Sequence, residues 1–215
     1  MCYSKKLSLI SFTFGLTSSF LFIKYGNIKN SKSNLVIGYF FMFVSFMQLI
    51  EYYIWTDLKC KTGYNKFSAY IGPIFNHLQP VILLLLANKY IQSNNLINNN
   101  VIITLNLIYI IYLLHKYIKY VNNQDNLCIK LNDENHINWS WKNDFNYNIF
   151  FIIELINLVN YSNNSNLLIS ISFSYLLLYI SINKYKKNIG EFWCLMVTGV
   201  PFVNLFIQNM FNIAD

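Results

Sequence analysis

Asn76-His77-Leu78-Gln79-Pro80 interrupts an apolar run, Phe67 to Ile91, that is otherwise long enough to cross a bilayer. At ~1.5 Å per residue, such a run matches a hydrocarbon core ~30 Å thick. An imidazole, two amides and a proline inside it are costly in hydrocarbon, so they must face protein or water. Either they glue helices together or they form a site. Pro80 also removes one backbone hydrogen bond and exposes the carbonyl of Asn76, which predicts a kink beside His77.

The rest of the chain fits the same solvent. Of its 215 residues 55% are hydrophobic and only 12% charged, against about 25% in soluble domains. The apolar residues come in long blocks without intervening linkers, so one polytopic membrane domain, residues 1–215, is expected. All 16 basic residues are lysines and lie mostly at block ends. Membrane topology accounts for them there, and a clustered, arginine-bearing nucleic-acid face is excluded.

Seven spans are expected, at about Leu7–Ile23, Leu35–Trp55, Phe67–Ile91, Val101–Tyr117, Asn148–Tyr161, Leu167–Ile182 and Gly190–Phe211. The fifth is the shortest. In the first, Ser11, Gly15 and Ser19 form a small-residue stripe suited to close helix approach. Between the fourth and fifth lies a polar connection whose aromatics, Trp139, Trp141, Phe145 and Tyr147, are expected at the headgroup level. Cys2, Cys60, Cys128 and Cys194 show no paired spacing and read as reduced thiols near a cytoplasmic face.

This all-α seven-helix bundle puts twelve lysines on the N-terminal side and four on the other. Positive-inside bias then sets the N-terminus in the cytoplasm and the C-terminus outside or in a lumen. The sequon Asn138-Trp139-Ser140 becomes cytoplasmic. Asn160-Tyr161-Ser162 and Asn163-Asn164-Ser165 fall on the far side.

The same topology gathers polar residues into one half of the bundle. Gln48, Glu51 and Trp55 share a face of the second span at i, i+3 and i+7. Asn76, His77 and Gln79 enter from the same side on the third, Glu154 and Asn157 on the fifth, and Glu191 and Cys194 on the seventh. A pocket open to the cytoplasm would keep these groups hydrated.

Met1-Cys2-Tyr3-Ser4, with Gln48-Leu49-Ile50-Glu51 and Trp55, resembles a group of small polytopic membrane proteins of microbes and large DNA viruses. That group begins Met-Cys-aromatic-Ser and carries Gln-x-x-Glu plus Trp on an early helix. The resemblance covers the first quarter of the chain. It implies a fold, with no activity attached, and a shared feature involving Cys2, Gln48, Glu51 and Trp55.

Three functions fit the pattern. Carboxylates beside an imidazole bind a small cation or relay a proton. Alternatively, His77, Glu51, Glu154 and Glu191 hold a divalent metal that activates water in a membrane-embedded hydrolase acting on a lipid-like substrate, with Cys194 in reserve as a further ligand. In the third, the residues only hydrogen-bond helices into a scaffold. The expected partners are accordingly the bilayer and a small cation, a proton or a lipid.

Overall fold

The computed structural model describes residues 4–27, 29, 31–91, 96–133, 135–161, 163–184 and 196–211. Its helices are α1 (Lys5–Tyr25), α2 (Ser31–Thr56), α3 (Tyr64–His77), α4 (Gln79–Tyr90), α5 (Asn99–Asn122), α6 (Tyr147–Val159), α7 (Ser165–Lys184) and α8 (Val200–Phe211). The described residues contain no strand, only an isolated bridge between Leu131 and Ile137. The fold is all-α.

Three helices, α1, α2 and α5, are long and apolar enough to cross a membrane. A fourth span is α3 and α4 taken together, bent by 51°. Seven full spans are not evident by this measure. With 13 residues, α6 reaches only about 20 Å, and α8 with 12 reaches less. The expected start of the seventh span, including Glu191 and Cys194, lies outside the described residues, as do Cys2 and Tyr3.

Small residues let α1 lie tightly on α2. Ser11, Gly15 and Ser19 are buried there. A Cβ on Gly15 would run into the Ser45 side chain, and one on Gly38 into Ile23. α2 is the central element, in contact with α1, α3, α4, α7 and α8.

The break in the third span falls at Leu78, between two prolines. Backbone polar groups loosened by such a break must find partners in a dry interior. Neighbouring helices supply them. Pro73 cannot donate to the carbonyl of Ala69, and the Tyr120 hydroxyl lies 3.2 Å from that oxygen. Tyr109 donates to the carbonyl of His77 at 2.9 Å, and Asn157 Nδ2 to that of Pro80 at 2.9 Å.

Successive helices alternate between two ends of the bundle. At one end an amide clasp joins loop to helix: Gln208 Nε2 donates to Asn34 Oδ1 at 2.8 Å and Asn166 Oδ1 at 3.1 Å. Gln208 Oε1 accepts from the Asn27 amide at 2.9 Å. The other end carries the connection from α5 to α6, and here two expectations are overturned.

Cys60 and Cys128 are not reduced thiols. They form a disulfide with 5.9 Å between Cα atoms across 68 residues of sequence. Asn65 reinforces the junction: its Oδ1 accepts from Ile129 N at 2.8 Å and its Nδ2 donates to Ile129 O at 2.9 Å. So tethered, the connection folds back over α3 and α5 as a cap. Trp139, Trp141 and Phe145 are therefore buried in protein rather than spread at the headgroups. Trp141 fills the space that the missing side chain of Gly72 leaves, and Trp139 stacks on it at 5.3 Å.

The turn that presents Cys60 is organised by Asp57. Its Oδ1 accepts from Lys61 N at 2.7 Å and Thr62 N at 3.1 Å, and its Oδ2 from Asn65 N at 3.3 Å. These bonds hold Cys60 at a φ of 53°, which a residue with a side chain adopts only under constraint. Burial pushes the Asp57 carboxyl up, but the N–H groups of Thr62, Asn65 and Lys61 outweigh it and hold the group below its ordinary value. Its stabilisation is therefore present above the unfolded value of about 3.9 and lost as pH falls through the lower folded value. Asp57→Ala is expected to lower Tm at neutral pH. It should also lessen the fall in Tm below about pH 4, read by thermal melts across pH.

Candidate functional site

The polar residues expected on one side of the bundle do lie in its interior, but in two tiers. Ring stacking fixes the antiparallel register of α2 on α3: Tyr53 pairs with Tyr64 at 5.5 Å and Phe43 with Phe75 at 4.9 Å. Interpolating between those pairs sets Gln48 and Glu51 across from the stretch that contains Ser68. This tier lies toward the disulfide end. Gln48, Glu51 and Ser68 are fully buried and Trp55 half-buried.

The second tier surrounds the helix break. Asn76, His77 and Gln79 are all buried. Asn76 Nδ2 donates to Tyr147 Oη at 2.7 Å, and Asn157 meets Pro80 one to two turns further on. These two contacts run α4 and α6 in parallel and put Glu154 level with Leu78 and Gln79. Glu154 lines a cavity of about 10 Å3 with Phe41, Val44, Phe151 and Ser174, room for about one water.

The imidazole of His77 sits in an aromatic box. Phe145 stacks on it at 4.5 Å, Tyr147 tilts at 4.9 Å and Phe150 meets it edge-on at 6.0 Å. Phe145 comes from the cap, so the disulfide-tethered connection closes over this histidine.

Hydrogen bonding separates structural from available groups. Asn76 is paired with Tyr147. Asn157 is paired with Pro80 and, reciprocally, with Asn106 at 2.8 and 3.1 Å. These are helix glue. In contrast, these buried side-chain atoms of the two tiers make no hydrogen bond among the described residues: Nε2 and Oε1 of Gln48, Oγ of Ser68, Nε2 of His77, and Nε2 and Oε1 of Gln79; Trp139 and Trp141 Nε1 in the cap are in the same condition. Trp55 Nε1 shares that condition. Each such atom costs about 1–3 kcal/mol when it has no partner. Their capacity is what a polar occupant would use.

The expected metal set does not come together. Glu51 lies level with about residue 66 of α3, and His77 lies eleven residues further on, about 16 Å along the axis at ~1.5 Å per residue. The two cannot ligate one ion. Among the described residues no three His, Cys, Asp or Glu side chains are placed to hold a metal. Glu191 and Cys194 lie outside those residues.

Ser68, Tyr109 and Tyr120 escaped the sequence reading, which places Tyr147 only at the headgroup level. Hydroxyls on apolar helices are unremarkable in sequence, and only the break in the third span explains why these matter. The amide clasp of Asn27, Asn34, Asn166 and Gln208 escaped it too, because its members come from four separate segments. No family model matches the chain, and comparisons with curated proteins and with solved structures give no match.

Proposed function

We propose that the protein is a multi-pass membrane protein whose two polar tiers bind a small cation or a proton and pass it between the disulfide end and the helix break. All seven apolar segments enter the bilayer in this reading, with α6 and α8 as short members of the bundle that expose apolar faces at Ile152 and Leu155 and at Phe206 and Met210. One observation carries it: buried amide, hydroxyl and imidazole atoms of Gln48, Ser68, His77 and Gln79 make no hydrogen bond among the described residues, and the carboxylates Glu51 and Glu154 are buried in the same two tiers. Amide, hydroxyl and carboxylate oxygens are the donors that hard cations prefer, and Glu and His are the groups that relay protons through membranes.

The separation of Glu51 from His77 removes Glu51 from any metal set built on that histidine, and the cation reading is preferred to the metal hydrolase on that ground. A pure scaffold is favoured for Asn76, Asn106 and Asn157, and disfavoured for Gln48 and Gln79, which glue nothing.

The tier of Gln48, Glu51 and Ser68 is the one nearer the end that carries the disulfide. We assign that end to an oxidising space, since thiols are kept reduced in the cytosol. The lysine distribution argues the other way. We weight the covalent bond more heavily, because with 16 lysines and no arginine the chain's composition itself inflates the lysine count.

The experiment is a melt of the full chain in lipid nanodiscs, titrated with lithium, sodium and potassium and, separately, with pH. Binding to the folded state raises Tm in proportion to the logarithm of ligand concentration, by about 2.7 kcal/mol of stability at 100 times Kd. A rise with one cation, or a pH-dependent Tm in the neutral range, is expected. A Tm indifferent to every cation and to pH between 5 and 9 would remove the proposal.

A further inference from the structure

A crevice lies on the outside of the bundle, between α3 and α5. The bend at Leu78 swings α3 and α4 away from α5 and leaves this opening of about 160 Å3. Its exposed surface is apolar, from Pro73, Ile74 and the ring carbons of His77 on one wall, Ile110, Leu113 and Leu114 on the other, and Phe145 at the end nearest the cap. Ile74 and Leu114 are 38% and 55% exposed, so the mouth opens sideways, along an α5 face that also exposes Leu107, Ile111 and Ile118.

Phe145 has another side. It also walls a polar basin of about 460 Å3 lined by Lys116, Lys142, Asn143, Asp144, Asn146 and Asn148. Lys116 lies less than one turn of α5 beyond Leu113 and Leu114, toward the capped end. Its Nζ stands 5.9 Å from the Tyr112 ring, which holds the ammonium at the rim. The basin's lining thus carries two lysines and one aspartate, and it meets the apolar slot at Phe145.

We infer that the α3–α5 crevice and the Lys116–Lys142 basin together form a binding site for an anionic glycerophospholipid, one acyl chain in the crevice and the phosphate in the basin. The match is in both chemistry and order. A chain needs an apolar groove open to the bilayer, and its phosphate needs cations within about one helical turn of that groove on the interface side. Water-filled clefts offer no reason for an apolar slot to lead to lysines across a single phenyl ring. A phospholipid does. The site presupposes the bilayer and borders the cation file at His77, and none of the variants below touches Gln48, Glu51, His77 or Gln79.

The test uses the full chain in nanodiscs made from equal parts of phosphatidylcholine and phosphatidylglycerol, followed by native mass spectrometry of the lipids retained through delipidation. Wild type is expected to retain phosphatidylglycerol over phosphatidylcholine by on the order of tenfold. Lys116→Ala with Lys142→Ala should abolish the preference while neutral lipid is still retained, and Lys116→Arg with Lys142→Arg should keep it. Leu114→Trp, at the exposed rim, should lose both lipids. A melt of each variant establishes folding. Equal retention of the two lipids by wild type overturns the inference, as does a preference that survives loss of both lysines. Competition by inorganic phosphate at millimolar concentration, or undiminished binding in Leu114→Trp, would show an anion site without a chain, and would equally overturn it.

Discussion

Cys60→Ser is expected to destabilise the protein by about 4 kcal/mol, the loop-closure value for a link across 68 residues. The same loss should follow treatment of wild type with a reductant, and the two should not add. The bond joins the turn after α2 to the segment after α5, and so encloses α3, α4 and α5 in one covalent loop. Without it the cap is held by Asn65 on Ile129 and by Trp141 over Gly72, contacts that do not restrict the unfolded chain. Phe145 then leaves the His77 ring more readily, so hydrogen exchange should rise first in residues 123–146. Equal Tm values under reducing and non-reducing conditions would contradict this. The same bond bears on orientation. If the capped end faces an oxidising lumen, Asn138 in its exposed sequon becomes a glycan acceptor in a eukaryotic secretory membrane, and Asn138→Gln removes the modification.

Gln79→Leu, in contrast, is expected to make the protein more stable, by about 1–3 kcal/mol, and Gln48→Leu to do the same. Both amides are fully buried and neither forms a side-chain hydrogen bond among the described residues. Leucine is close in volume and has no polar atom to satisfy. On the register described above the two sites lie about 14 Å apart along α3, so their gains should add. A scaffold reading predicts the opposite sign, since removing helix glue costs stability. Asn157→Leu serves as the contrast. It strips Pro80 and Asn106 of their partner and should destabilise by about 1–3 kcal/mol. Groups retained at a cost to stability belong to function, as is usual for strained or unsatisfied sites.

Much of the fold was legible because hydropathy blocks report directly on helices. The first four segments and the break inside the third lie where the sequence places them. Seven full spans was too strong a reading, because block length in sequence counts residues that end as caps and turns. The burial of Gln48, Glu51, Asn76, His77, Gln79, Glu154 and Asn157 was also legible, since polar groups inside apolar blocks must face protein. Their division into two tiers was not. It depends on the axial register of α2 against α3, which is set by ring pairs such as Phe43 on Phe75 that no periodicity singles out. The disulfide was equally hidden. Cys60 and Cys128 belong to different loops, and only the fold of the cap brings them together. Trp141 read as interfacial because its partner is the absence of a side chain at Gly72.

The account turns on whether the buried file takes a charged occupant, and the most direct measurement is one titration on two proteins. Wild type and Glu51→Gln, both in neutral-lipid nanodiscs, are melted across alkali-cation concentration and across pH 5 to 9. The account predicts a Tm that depends on one cation or on pH in wild type and is flat in Glu51→Gln, with both proteins folded. Identical titration curves for the two would contradict it.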